Sequence, residues 1–239
     1  MQNVSFQTVD SLTITGTLAM PNQTRVLSPG VIIFHGMRGS MDKYIPLINK
    51  LAENGIAGLA ISMRAHGESE GDFYKNTVEE AVNDSLAAFD FLVRQTGIDA
   101  NRIGLVGSSV GAILAAMTVK KRHVKSLLLR APAAYTKEMM QISMADTTVN
   151  ELRQFHEISD LGKTPAGSSI EQFDGSLLVV ASGNDATIPL AVSQGYVDIA
   201  NNAENTRLAV IEGATHTLTE PSWEEEFAGH VVNWFGETL

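Results

Sequence analysis

The sequence predicts the α/β class, with a mostly parallel central sheet covered by helices on both faces. The first observation is a set of short, nearly continuous apolar runs: GVIIFHG from Gly30, GIAGLAISM from Gly55, NRIGLVGS from Asn101, VKSLLLRAP from Val124 and SLLVVASG from Ser176. Runs of that length read as strands buried on both faces. The second is that segments of helical period separate them. The third is the alternation in SLTITGTLAMP, Ser11 to Pro21, which predicts an antiparallel edge strand ahead of the parallel ones.

Ile45, Ile48 and Leu51 share one helix face after the first buried run. Val78, Val82, Leu86, Phe89 and Val93 define a longer helix, opened by the capping box Thr77-x-x-Glu80 and closed by Gly97. VGAILAAMTV, from Val110, gives a third. After LLLRAP the alternation stops. Residues 133 to 173 are polar and methionine-containing, with a weak helical pattern from Val149 to Ile158, and read as an insertion into a single domain spanning 1–239. An insertion at a strand's carboxyl end sits beside the ligand crevice of such a sheet, which makes it a candidate cap.

Composition narrows the function. With 239 residues and 44% hydrophobic content the chain can bury a large core, and no cysteine is present to form a disulfide, a thiolate metal site or a thiol nucleophile. A net charge of −10 opposes binding to a phosphate backbone, so no nucleic-acid partner is expected. The N-terminal MQNVSFQTVD lacks a basic and apolar leader, and no uncharged apolar stretch is long enough to span a bilayer. A cytoplasmic chain without a membrane partner is the expectation.

Chemistry enters at GLVGSSVGA, Gly104 to Ala112. Gly107-x-Ser109-x-Gly111 lies between a strand and a helix, where a tight turn strains the central residue and leaves no room for side chains two positions away. That selects Ser109 over Ser108 as a nucleophile. GSSIE at Gly167 has neither the second glycine nor the preceding strand. A serine hydroxyl is a weak nucleophile at neutral pH, so an imidazole must take its proton and a carboxylate must orient the imidazole. Of the six histidines, His216 directly follows the last apolar run, RLAVI, and is the expected base. Asp185 follows SLLVVASG and is the expected orienting acid, with Asp160 and Asp174 as alternatives near the insertion. The order Ser109, Asp185, His216 is the one this elbow carries. His123, His156 and His230 read as surface residues, while His66 stays open.

The turn FHGMRGS offers the backbone N–H of Met37 as an oxyanion donor beside that of Val110. Tyr135, Met139, Met140 and Met144 in the insertion are candidate substrate-binding residues, an adaptable apolar wall for an acyl group. No H-E-x-x-H or similar pair suggests a metal, and no cofactor is expected.

Together these residues resemble the α/β-hydrolase superfamily over essentially the whole chain. HGMRGSMDKYIPLINKLAENGIAGLAISMRAHGESEGDF is similar to the segment that runs, in small esterases and serine-aminopeptidase-like hydrolases, from the oxyanion turn to a D-x-R-G-x-G-x-S loop. LLLRAPAAY is similar to the strand entering the cap of cinnamoyl-ester (feruloyl) esterases. Ser62 and Ala65 depart from that loop's aspartate and glycine, and Ser108 stands where many such esterases have histidine. The resemblance implies a serine hydrolase acting on a small-molecule carboxylic ester. Thioesterase, peptidase and carbon–carbon hydrolase chemistry share the same three residues, and a ligand-binding protein on a hydrolase scaffold is the alternative of another class.

Overall fold

The computed structural model describes residues 1–22, 26–147 and 160–239. One eight-stranded sheet organises them: β1 (Gln2–Gln7), β2 (Thr13–Ala19), β3 (Ser28–Phe34), β4 (Ala57–Ser62), β5 (Ile98–Ser108), β6 (Ser126–Arg130), β7 (Ser176–Ser182) and β8 (Asn205–Ile211). Their spatial order is β1-β2-β4-β3-β5-β6-β7-β8. Pairing is antiparallel from β1 to β2 and from β2 to β4, and parallel from β4 onward. This is the fold class that the apolar runs predict. The strand read as the edge is one place further in, because β1 covers it. In β1 only Val4 and Phe6 turn toward the core, and both stay half-buried, so its alternation is short and its other side chains are exposed.

Successive strand residues feed opposite layers, as a pleat requires. Ile32, Leu105, Leu127 and Leu177 join one core, which is covered by α2 (Val78–Val93), α3 (Val110–Val119) and α5 (Pro165–Glu171). Val31, Val106, Leu128 and Leu178 join the other, under α1 (Ile45–Glu53) and α7 (Pro221–Thr238). α6 (Leu190–Ile199) follows β7. The α2 capping box forms as its sequence predicts: Glu80 N–H donates to Thr77 Oγ1 at 3.1 Å and Thr77 N–H to Glu80 Oε2 at 2.9 Å. α3 is buried nearly all round, so its sequence lacks a polar face. Among the described residues no helix is long and apolar enough to cross a membrane.

Within residues 133–173, read from sequence as an insertion, α4 (Lys137–Gln141) is capped by Thr136 and packs near α2, while α5 packs on α3. GSSIE is part of α5. The helix expected from Val149 to Ile158 lies outside the described residues.

One buried ionic network ties the loop after β4 to this frame. Arg64 Nε and Nη2 donate to Asp84 Oδ1 at 2.9 and 2.7 Å, and Nη1 donates to Asp10 Oδ2 at 2.8 Å. Burial pushes the Asp84 carboxyl up to about 6 against the pull of Arg64, whereas the hydrogen bond from Arg64 holds the more exposed Asp10 down at about 2. Asp84→Ala leaves a guanidinium buried with half its partners gone, and should cost about 3–5 kcal/mol in urea unfolding. Asp10→Ala, where water can replace the carboxylate, should cost about 1 kcal/mol or less. Equal losses would show that burial adds nothing to the pair.

Candidate active site

The turn from β5 to α3 places Ser109 at φ 53°, ψ −117°, a conformation an L-residue adopts only when its surroundings impose it. Two glycines make it possible. A Cβ on Gly107 would collide with the Gly111 carbonyl, and one on Gly111 with the Phe34 carbonyl at the end of β3. Ser109 N–H donates to Arg130 O at 2.9 Å, and Ser109 O accepts from Ala112 N–H at 3.0 Å and Ala133 N–H at 3.2 Å. Although Ser109 stands at the N-cap of α3, its hydroxyl caps nothing and is left for another partner.

That partner is His216, whose Nε2 lies 3.1 Å from Ser109 Oγ. The imidazole Nδ1 lies 2.8 Å from Asp185 Oδ2. With Nδ1–H donating to the carboxylate, the Nε2 lone pair faces the serine hydroxyl. Asp185 sits just past β7, and its other oxygen accepts from Thr187 N–H and Ile188 N–H, both at 2.8 Å. Burial raises its pKa, but the His216 hydrogen bond and those two amides outweigh it and hold the carboxyl below its ordinary range. His216 arrives on the turn after β8, where Asn184 N–H binds Ala214 O at 2.9 Å. The structure thus brings together the three residues singled out by sequence. Asp160 is instead paired with Lys163 at 3.0 Å, and Asp174 is exposed.

The glycine-flanked turn after β3 is held by two buried imidazoles. His35 Nδ1–H donates to Gly36 O at 2.7 Å, where Gly39 N–H also donates at 3.0 Å, and His35 Nε2 accepts from Met63 N–H at 3.0 Å. His66 Nδ1–H donates to Arg64 O at 2.8 Å, and its Nε2 accepts from Arg38 N–H at 3.1 Å. Accepting at Nε2 requires both rings to be neutral. Burial supplies that, pushing His35 down to about 4 despite the Gly36 carbonyl, and lowering His66 as well. Because a trans peptide points its C=O and N–H in opposite directions, fixing Gly36 O also fixes the direction of Met37 N–H. Val110 is the first residue of α3, so its N–H has no partner within the helix. His66, left open by the sequence, holds this turn and is not a partner of Ser109.

A cavity of about 350 Å³ opens over Ser109 and His216, lined also by Met37, Thr187 and Arg130. None of Tyr135, Met139, Met140 or Met144 lines it. All four are buried in the core layer that α2 and α3 cover. Arg130, at the end of β6, is the residue the sequence did not reveal. Its Nη2 donates to Ser182 Oγ at 3.0 Å, to Thr215 O at 3.3 Å and to His216 O, bracing the histidine turn from behind. An arginine ending an apolar strand gives no signal of that reach.

A thiohydrolase of Aspergillus aculeatus, aneE, is 31% identical over 148 residues, 59% of this chain and 46% of its own length. Est1E of Butyrivibrio proteoclasticus, solved with ferulic acid bound, superposes with a TM-score of 0.77 at 20% identity, covering 96% of both chains. A Pyrococcus furiosus esterase gives a TM-score of 0.75 at 19% identity, over 99% of this chain and 90% of that one. At these identities the two structures establish the α/β-hydrolase fold. The family model for serine aminopeptidases, S33, matches residues 28–159, a span that contains Ser109 and stops before Asp185 and His216. By that match over more than half its length, the chain belongs to the serine aminopeptidase S33 family of α/β hydrolases.

Proposed function

We propose that this chain cleaves a carboxylic ester through an acyl-Ser109 intermediate, with His216 as general base and Asp185 as its orienting acid. The observation that carries the reading is the continuous path from Ser109 Oγ through His216 to Asp185, with 3.1 and 2.8 Å between successive polar atoms, on a backbone strained to present the hydroxyl. In the first half-reaction Ser109 Oγ bonds to the ester carbonyl carbon as its proton passes to His216 Nε2. The tetrahedral oxyanion is taken by the N–H groups of Met37 and Val110. Its collapse breaks the bond to the alkoxy oxygen, which receives the proton from His216. Water then repeats the path on the acyl-enzyme, releasing the acid and restoring Ser109. These steps use only side chains, backbone amides and water.

An ester is favoured because the Pyrococcus neighbour is an esterase and Est1E holds ferulic acid, a carboxylic acid of the kind ester cleavage releases. The thiohydrolase relative favours a thioester as second reading, on the same acyl-enzyme.

A fluorophosphonate probe should add one adduct, on the peptide containing Ser109. Ser108→Ala should keep the label and Ser109→Ala should lose it, as read by peptide mass spectrometry. Labelling that persists in Ser109→Ala would remove the nucleophile assignment. Asp185→Asn forces the wrong imidazole tautomer, and should lower kcat on a nitrophenyl butyrate by a factor on the order of 10⁴ with little change in KM. Near-normal turnover in that variant would remove Asp185 from the mechanism.

A further inference from the structure

A second cavity, of about 220 Å³, adjoins the one over Ser109 and shares Lys43, Tyr44, Ser108 and Arg130 with it. It runs outward between α1 and α7, with Leu47, Leu218 and Phe227 among its apolar walls. Arg130 lines both chambers and is only 5% exposed. A buried cation is normally paired with a carboxylate. Among the described residues Arg130 makes no ion pair: its Nη2 hydrogen bonds go to a hydroxyl and two carbonyls, and Nε–H has no acceptor. Asp185 favours the cation from a distance, but its oxygens are taken by His216 and two amides. Ser108, also buried, lines both cavities beside it. The contrast with Arg64, which two carboxylates neutralise, is direct.

We propose that this chamber is an anion-binding subsite, which takes the free carboxylate of a substrate whose scissile ester lies at Ser109. The charge count selects a monoanion. At the outer end Lys43 pairs with Glu224 at 3.3 Å and Lys50 pairs with Glu225, so the chamber keeps one net positive charge, on Arg130. A phosphate dianion would need a second unpaired cation. A carboxylate matches one guanidinium, whose Nη1 makes no hydrogen bond among the described residues, while its methylenes run back toward Ser109 past Tyr44 and Ser108, which line both cavities. The substrate class is therefore the half-ester of a short dicarboxylic acid. This identity rests on the ester-hydrolase reading above, but the anion site itself does not.

The test compares monomethyl and dimethyl esters of succinate, glutarate and adipate, pairs of nearly equal shape that differ by one charge. For at least one chain length, wild-type kcat/KM should favour the monoacid by about tenfold or more, the scale of a charge-assisted hydrogen bond. Arg130→Met should bring that ratio to about one. Loss of the brace on His216 slows both esters alike and cancels in the ratio, so the ratio reports the subsite. Ala228→Trp, which fills the chamber from α7, should also abolish the preference and serves if Arg130→Met does not fold. Binding of the same pairs to Ser109→Ala, measured by calorimetry, reads the subsite without turnover. Equal efficiency and equal affinity for monoacid and diester at every length, or a preference that survives both variants, overturns the subsite. Hydrolysis of neither ester, with tenfold tighter monoacid binding to Ser109→Ala, overturns the ester reading and leaves the subsite standing.

Discussion

The close approach of α3 to the end of β3 is the constraint on which the site depends. Only a glycine at 111 lets the helix start against the Phe34 carbonyl, and only a glycine at 107 lets β5 turn beneath it. With both flanks bare, Ser109 is driven into its positive-φ conformation, which lifts its hydroxyl off the helix terminus it would otherwise cap. The parallel sheet then delivers the partners. β7 and β8 lie beyond β6 in register, so the residues following them reach the same edge of the sheet as the elbow. The sheet determines where the residues arrive, and the glycines determine how the serine meets them.

Much of this was legible because it is local. The buried strands declare themselves as continuous apolar runs, the α2 capping box is four residues long, and the elbow is a five-residue pattern in a strand-to-helix context. Asp185 and His216 could be singled out because each directly follows an apolar run. β1 was not legible, since two half-buried side chains make too short an alternation. The methionines show the limit of composition: Met139, Met140 and Met144 are apolar, but the sequence does not say whether they meet a cavity or α2 and α3, and in the structure they join the core layer those helices cover. Arg130, His35 and His66 act through contacts with segments distant in sequence, which no local pattern records.

Neutral and charged groups divide the work of holding the two loops around the cavity. At the turn after β3 the rings of His35 and His66, 4.9 Å apart, each accept one amide N–H and donate to one carbonyl. Their depressed pKa values fit that use, since a proton on Nε2 would face an N–H already pointing at it. The Arg64 network carries full charge in the same region, and burial there is offset by two carboxylates. Different chemistry thus secures adjacent pieces of backbone without competition for one partner.

Arg130 is attached to both sides of the contact between Ser109 and His216. Its carbonyl receives Ser109 N–H, and its guanidinium reaches the His216 carbonyl. A single residue of β6 therefore serves as a common datum for the hydroxyl and the imidazole. Any displacement of that strand would carry both attachments with it, so the two side chains share one reference point in the sheet.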